Sequence, residues 1–552
     1  MENLQVKNLY LAFKENAATF PHLIALRADG GRGRSYTYAE VDRQVRQLAA
    51  GLNDTPFANI KEIGLLSENC PEWPITYLAV LASGKTVVPI DANLKVNEIG
   101  YIIDHCRLRA IICSRRFENM LAGLSSDLMI YSLNEQSSNN WKKLFRDEFN
   151  FTESQLGDLK DTACLIYTSG TTGNPKAVIL THDNLLGNLE SIHLTLKFTE
   201  HDVFLSVLPL HHTFEAMCGF LAPLTSGSCI VYARTLKSGD IREDITFNKV
   251  TIMCGVPLLF EKMYRNIKRG VEEIPVFKRL LFQSSYTVSS LAWKFKYQMG
   301  QALFKKVREK IGLGSIRLFV SGGAPLPPEI ARFFNYLGFV FLQGYGLSEC
   351  SPVVSVNLPE DISFGSVGPP LKKLEVKIVR KSEDGIGEIV VRGRSTSPGY
   401  KNNPGETGKL YRDDWLYTGD LGYIKDGKIW ITGRHKNLIV SAAGKNIYPE
   451  ELEEKLLASP YVTEVVVFGR NKDNRQGEEV RAIIVPDLEQ FQMEFNMSVT
   501  SPDMRQIRQV IGRLVDDVNK EIASYKRICG FEVQLEELEK TSTKKVKRFF
   551  YN

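Results

Sequence analysis

The stretch Ile63-Gly-Leu-Leu-Ser-Glu-Asn-Cys-Pro-Glu-Trp-Pro-Ile-Thr-Tyr-Leu-Ala-Val-Leu-Ala-Ser-Gly-Lys-Thr-Val-Val-Pro-Ile90 decides the fold class. Ile63 to Leu66 reads as a strand, Pro71 to Ala82 as a helix stopping near Gly84, and Thr86 to Ile90 as a second strand. Lys95 to Cys106 then reads as a helix and Arg109 to Cys113 as a strand. Short apolar runs separated by amphipathic segments of about ten residues argue for βαβ units, that is, sheets buried under helices.

Composition agrees. The chain has 552 residues, 43% hydrophobic, 24% charged and 10% aromatic, which excludes a wholly disordered, collagen-like or coiled-coil protein. Lys+Arg 69 against Asp+Glu 64 leaves only +5, so charge gives no reason to expect nucleic-acid binding. Nine cysteines without a Cys-x-x-Cys pair argue against a disulfide framework or structural zinc, and for a reducing compartment. The start, Met-Glu-Asn-Leu-Gln, lacks the features of a secretion signal. Ala216 to Ala233 carries no charge, but its Gly219, Pro223 and Gly227 fit a buried helix, a turn and a strand better than a membrane span. A soluble, cytoplasmic protein is expected.

Asn134 to Asp161 is polar and reads as a connecting segment. A second boundary is expected after Gly433, giving domains 1–433 and 434–552. In the second, Pro449 and its following glutamates suit a helix start, and Val465 to Phe468 and Val480 to Val485 suit strands. Gln490 to Pro502 reads as a surface loop and Met504 to Ile522 as a helix.

The strongest chemical signal is Tyr167-Thr-Ser-Gly-Thr-Thr-Gly-Asn-Pro-Lys176, between the apolar run Ala163 to Ile166 and a helical pattern starting near Thr181. Gly and hydroxyl residues here (Thr168, Ser169, Gly170, Thr171, Thr172 and Gly173) can turn N–H and O–H donors toward a phosphate, and Lys176 adds positive charge. The spacing is not that of an ordinary P-loop.

This string resembles the phosphate loop of the adenylate-forming superfamily: acyl-CoA synthetases, peptide-synthetase adenylation domains and firefly-type luciferases. Further matches follow in the family's order and cover essentially the whole chain. Ser321-Gly322-Gly323-Ala324-Pro-Leu326 resembles the adenine-binding turn. Gly344-Tyr345-Gly346-Leu-Ser348-Glu349 resembles the segment whose ring stacks on adenine and whose acid holds Mg²⁺. Trp415-Leu-Tyr-Thr-Gly-Asp420 resembles the ribose-binding turn, and Gly433-Arg434-His-Lys436 the interdomain hinge. Gly444-Lys-Asn-Ile-Tyr-Pro-Glu-Glu451 and the terminal Lys540 to Arg548 complete the series.

The resemblance implies a large N-terminal α/β domain of βαβ-type sheets covered by helices, with a β-subdomain and a small mobile α+β C-terminal domain. It implies ATP, Mg²⁺ and coenzyme A as cofactors, with Thr168 and Glu349 on the metal, and Asp420 and Arg434 on the ribose. Lys176 and Lys545 would act on phosphate, and Gly444 would let the pantetheine arm pass. In Leu208-Pro-Leu-His-His-Thr-Phe-Glu215 the aligned histidine is His212, a gate or wall residue of the acyl pocket. A structural histidine is the alternative there, core packing is the alternative for Tyr345, and a simple turn for Gly444. Adjacent histidines do not face one another, and no third ligand for a metal is evident.

This sequence departs from the family pattern at Ala177, where Gly is usual, at Ser348, where Thr is common, and at Lys544, where Gly is usual. The last leaves Lys544 and Lys545 competing for one role. Leu-Pro-Leu-x-His-x-Phe-Glu and Gly-Tyr-Gly-Leu-Ser-Glu-Cys-Ser-Pro resemble the long-chain fatty-acid branch, in preference to amino-acid activation with Glu215 holding an ammonium. Phe214 to Val231 and Val250 to Phe260 can wall a hydrocarbon channel or form ordinary core. Coenzyme A is the expected acceptor, because no carrier domain follows the tail. An acyl carrier protein is the runner-up, suited by the basic tail, and peripheral membrane contact stays open. A catalytically inactive nucleotide-binding scaffold is the alternative from another class, opposed by the retained site residues.

Overall fold

The computed structural model describes residues 8–147, 156–168, 175–441, 445–471, 478–540 and 546–551. The chain divides into two compact units: Met1–Glu375 with Val391–Leu416, and Val376–Val390 with Tyr417–Asn552.

The first unit holds two mainly parallel sheets. The elements expected around the opening stretch form as strands Glu62–Leu66, Thr86–Ile90 and Ala110–Cys113 and helices Glu72–Ala82 and Val96–Cys106. These strands run parallel with Met129–Ser132 and Thr162–Thr168, while Lys176–Thr181 and Gly399–Tyr400 add antiparallel edges, giving seven strands. The second sheet has eight strands, with Val203–Ser206, Cys229–Tyr232, Ile252–Gly255, Leu318–Ser321 and Val340–Gly346 parallel at its centre. This is the α/β class that the alternation of short apolar runs and helices implied.

Side-chain alternation along each strand then divides the core. Ile63, Leu65, Val87 and Ile112 join a cluster that also contains Phe204, Ile230, Ile252 and Leu318 of the other sheet, together with helix Glu72–Ala82. That helix, buried from Trp73 to Ala82, therefore lies between the sheets, which is why it is apolar on every face. Leu66, Val88, Ile90 and Ile111 point the other way, onto helix Val96–Cys106.

Helix His182–Thr195 shares the intersheet core. Its His182 is buried and its His193 half-buried, and desolvation lowers each imidazole to about 4. An unfolded histidine titrates near 6.5, so the unfolded chain binds more protons once the pH falls below that value. The stability contributed by the neutral rings is complete above pH 6.5 and is lost as pH falls toward 4. At pH 5 each ring should cost roughly 2 kcal/mol. Urea unfolding at pH 7 and pH 5 should show this loss, and His193→Gln, which can still bond the Thr225 hydroxyl 2.9 Å away, should remove part of it.

The second unit packs helices Pro449–Leu457 and Met504–Glu521 on a sheet of Val462–Asn471, Glu478–Pro486 and Gly530–Val533. Ile507, Ile511, Val515 and Val518 form the single apolar stripe of the longer helix.

One expectation needs correction, and a second gains detail. The presumed loop 490–502 begins inside a helix, Leu488–Phe495. Asp487 Oδ1 accepts from Gln490 N at 3.1 Å to start it, and buried Phe491 packs on Tyr461 to hold it. The connecting segment 134–161 is anchored by a 3₁₀ turn, Trp141–Leu144, with Trp141 fully buried. A Cβ on Gly51 would overlap the Leu144 carbonyl, so glycine admits the turn against helix Tyr38–Asn53.

Candidate active site

Strands Ile252–Gly255, Leu318–Ser321 and Val340–Gly346 place Gly255 opposite Ser321, and Ser321 opposite Gln343. Their carboxyl ends finish side by side, the edge at which open α/β sheets bind ligands. Gly322, Gly323 and Ala324 leave the middle strand there, and Gly344, Tyr345 and Gly346 end the third. A Cβ on Gly346 would sit 2.2 Å from the Pro352 carbonyl oxygen, and Gly323 has φ +87°, so both positions favour glycine. Tyr345 is half-buried.

Ser169, Gly170, Thr171, Thr172 and Gly173 lie outside the described residues, but both ends of their loop are fixed. Thr168 faces Lys176 across antiparallel strands, so the loop tips a hairpin. The helix expected near Thr181 is present, but an unforeseen strand lies between it and the loop. The apolar run Ala177-Val-Ile-Leu180 continues the sheet as a strand, and the helix starts only at His182, capped by Thr181 Oγ1 accepting from Asn184 N at 3.1 Å. That helix terminus lies roughly 15–20 Å along the strand from Lys176, beyond reach of a ligand on the loop.

Lys176 begins a continuous row of polar side chains. Its Nζ pairs with the Glu406 carboxylate and lies 5.4 Å from the centroid of the Tyr400 ring. The Tyr400 hydroxyl donates to Glu349 Oε1 at 2.7 Å. Glu349 sits in the turn Ser348–Cys350, whose Glu349 carbonyl accepts from Ser397 N at 2.8 Å. Ser397 Oγ in turn donates to the Ile179 carbonyl at 2.6 Å. Backbone pairing of Tyr400 with Val178 completes the clamp. Burial, with the Glu349 carboxylate beside it, holds the Tyr400 phenol well above its ordinary range, so it stays a donor. The Lys176 ammonium holds Glu406 down at about 2, so this carboxylate is ionised and answers Lys176 charge for charge.

Tyr400 and Glu406 were absent from the sequence reading. They lie 51 and 230 residues from their partners Glu349 and Lys176, in a Pro/Gly/Asn-rich stretch without local signal. Thr168 is half-buried, with Oγ1 3.5 Å from the Lys176 carbonyl. Thr168 and Glu349 offer only oxygens, which fits a hard divalent cation.

The Ser348 hydroxyl is 3.1 Å from that of Thr213, tying this turn to the segment holding His212. The expectation that the two histidines stay apart without a third partner is overturned. Their ring centroids are 4.3 Å apart, and Asp91 Oδ2 lies 3.3 Å from His211 Nε2. The potential ligand atoms of Asp91, His211 and His212 all fall within 4.8 Å of one another. Topology supplies Asp91, at the carboxyl end of strand Thr86–Ile90, a neighbour no local pattern announces.

Glu215 is fully enclosed. It accepts from Ser206 Oγ at 2.6 Å, and burial raises its carboxyl to about 8. A neutral, enclosed acid is unsuited to holding a substrate ammonium. Most of the supposed channel wall is close-packed core: Met217, Phe220, Ile230, Val250, Ile252 and Met253 are buried. Phe214, Cys218, Val256 and Leu259 keep partial exposure.

In the second unit, Asp420 and Arg434 face each other across a hairpin, with Arg434 Nε donating to Asp420 Oδ1 at 2.7 Å. The preceding Gly419 has φ +72°, and Asp420 N donates to Thr418 Oγ1 at 3.0 Å, so the turn itself aims the carboxylate. Lys436 is exposed in the 3₁₀ turn His435–Asn437. Gly444, Lys544 and Lys545 lie outside the described residues.

Among known proteins, the AMP-binding enzyme family matches residues 13–401, and the AMP-binding enzyme C-terminal domain matches residues 451–545. Long chain acyl-CoA synthetase 1 of Arabidopsis thaliana is 30% identical over 498 residues, covering 82% of this chain and 74% of that protein. Fatty acyl-CoA synthetase A of Dictyostelium discoideum is 27% identical over 568 residues, covering 97% and 84%. The fold is shared with ATP-bound MatB of Rhodopseudomonas palustris, at TM-score 0.78 and 23% identity over 98% of both chains. The chain belongs to the AMP-binding enzymes and, within them, to the long-chain acyl-CoA synthetases.

Proposed function

We propose that the protein activates a long-chain fatty acid with ATP and passes the acyl group to coenzyme A. In the first step a carboxylate oxygen bonds to the α-phosphorus, the bond to the bridging oxygen breaks, and pyrophosphate leaves. In the second, the thiol loses its proton, sulfur bonds to the acyl carbon, and AMP leaves. The observation that carries this reading is the row Glu406–Lys176–Tyr400–Glu349, beside the strand ends that present the glycine turns.

The first step brings two anions together, so charge must be neutralised and the reactants aligned. Lys176 supplies positive charge from the loop, and a bound triphosphate takes the place of Glu406 on its ammonium. Tyr400 orients the Glu349 carboxylate by its hydroxyl. Thr168 and Glu349 would hold Mg²⁺, which would neutralise charge on the phosphate oxygens. Gly322 to Ala324 and Gly344 to Ser348 admit the base, with Tyr345 as its platform. Asp420 accepts from the ribose hydroxyls and Arg434 donates beside it. His212 walls the acyl entrance. Lys436 is the pivot between domains 1–433 and 434–552, and Gly444 passes the pantetheine arm.

The test is one panel: protein, ATP and Mg²⁺ with fatty acids of increasing length, and either coenzyme A or acyl carrier protein as acceptor. AMP and thioester should rise together with long-chain acids and coenzyme A. Thioester on the carrier protein alone would reassign the acceptor, and no AMP with any acid would make the chain a nucleotide-binding scaffold.

A further inference from the structure

Helix Val276–Lys294 packs on the first unit by one side only. Phe282, Tyr286, Ser289 and Trp293 recur at spacings of four, three and four, the repeat of a single helical face. Phe282 meets Phe304 at 5.2 Å, Tyr286 and Trp293 meet Tyr336 at 5.5 and 6.0 Å, and Ser289 Oγ donates to the Tyr336 carbonyl at 2.7 Å.

The opposite face is also apolar, and it is bare. Phe277, Leu280, Leu281, Val288, Leu291 and Phe295 form a second stripe at helical spacing, all exposed, with Phe277 79% and Phe295 75% accessible. At 100° per residue the two stripes lie on opposite sides of the helix. Ser284 interrupts the stripe midway, and an exposed apolar face of this length marks an interaction site.

The charge around it selects the occupant. From Ile274 to Arg308 the sequence contains no Asp or Glu, but has Lys278, Arg279, Lys294, Lys296, Lys305, Lys306 and Arg308. Arg308 is buried, its guanidinium donating to the Gly338 and Ile316 carbonyls. Lys278, Lys294, Lys296, Lys305 and Lys306 are exposed. Glu272 and Glu273, both exposed, end the preceding helix, so the acid-free run starts only with this helix. An apolar stripe on an acid-free helix that carries Lys278 and Lys294 has the make-up of a helix that lies in a membrane interface. Among the described residues no helix is long and apolar enough to cross a membrane, so the helix would lie on the surface.

We propose that the exposed face of helix Val276–Lys294 docks on an anionic lipid bilayer, the Phe277–Phe295 stripe entering the acyl boundary and the flanking lysines meeting phosphate headgroups. This rests on the reading that the substrate is a long-chain fatty acid, which partitions into bilayers. The helix follows Pro257–Glu272, which begins two residues after strand Ile252–Gly255 ends at the candidate site, so the docked face and the acyl-binding region belong to one continuous stretch.

The test is flotation of the full-length protein with vesicles of phosphatidylcholine, with and without 30 mol% phosphatidylglycerol, a composition of about one anionic lipid in three chosen to match the interfacial charge effect. Binding should require the anionic lipid and weaken with salt. Phe277→Ser/Leu281→Ser should abolish it, and Lys278→Glu/Lys294→Glu should weaken it by about tenfold or more. All variants should keep wild-type AMP release with a fatty acid supplied in solution on cyclodextrin, because none touches the candidate site. Equal binding by wild type and both variants, or none by wild type, overturns the proposal. So does a wild-type dimer that Phe277→Ser/Leu281→Ser makes monomeric without any vesicle binding, since the stripe would then be a protein interface. Loss of AMP release in wild type, with vesicle binding intact, would instead defeat the substrate reading.

Discussion

Glu349→Gln should lower pyrophosphate release from ATP and fatty acid by about two to three orders of magnitude, the scale seen when a group that stabilises developing charge is removed. Glutamine preserves size and can still accept from the Tyr400 hydroxyl, now 2.7 Å from Glu349 Oε1, so the turn Ser348–Cys350 keeps its shape. What is lost is the negative charge that would hold Mg²⁺ against the phosphates. Folding should change little, because the Glu349 backbone contact to Ser397 does not depend on the side chain. The distinguishing measurement is the Mg²⁺ concentration for half-maximal activity, which should rise sharply in Glu349→Gln. Tyr400→Phe should show a milder rise, since it leaves the carboxylate charged and removes only the donor that aims it. A folded Glu349→Gln protein with near-normal pyrophosphate release would remove Glu349 from the metal role.

The contrast between those two residues shows what a sequence carries. Glu349 is legible because its neighbours Gly344, Tyr345 and Gly346 need particular backbone and ring properties within six positions. Tyr400 is not legible, because its partner is far along the chain and its own surroundings read as a turn. The same division runs through the fold. Strands such as Thr86–Ile90 and helices such as Val96–Cys106 emerge to within about a residue, since a short apolar run and a helical period are local signals. Strand Lys176–Thr181 is less legible, because its short apolar run lies directly between a glycine-rich loop and a helix start and has no alternating pattern to mark it as a strand. Helix Leu488–Phe495 hid in a Glu/Gln-rich segment with one deeply buried side chain, Phe491, to declare its inner face. Asp91 beside His211 is a product of topology alone: parallel strands bring their carboxyl ends to one edge from distant places in the chain.

Lys545→Ala should reduce adenylate formation by about a hundredfold or more while leaving transfer from preformed acyl-adenylate to coenzyme A near normal. Negative charge grows on the α-phosphate only in the first step, so an ammonium that stabilises it contributes nothing to the attack of the thiol. A basic chain end is ordinarily just a solvated tail, but the described ends of this one are structural. Lys540 is paired with Glu464 and Glu537 and bridges Val546 through its backbone. Arg548 pairs with Glu453 and donates to the Val467 carbonyl at 2.9 Å. The Glu453 carboxyl is itself pushed up to about 7 by burial, and the Arg548 guanidinium beside it acts the other way, favouring the ionised form. Two of the tail's cations are thus committed to anchoring it, and the segment between Lys540 and Val546 is held at both ends. That leaves Lys544 and Lys545 as the cations of the anchored segment. Alignment through Thr541 and Arg548 favours Lys545, with Lys544 at a position where glycine is usual. Lys544→Ala should therefore stay active in both steps. Rapid-quench assays of each half-reaction on the two variants decide the register: exchanged phenotypes would move the role to Lys544, and two fully active variants would show that the anchored tail serves structure alone.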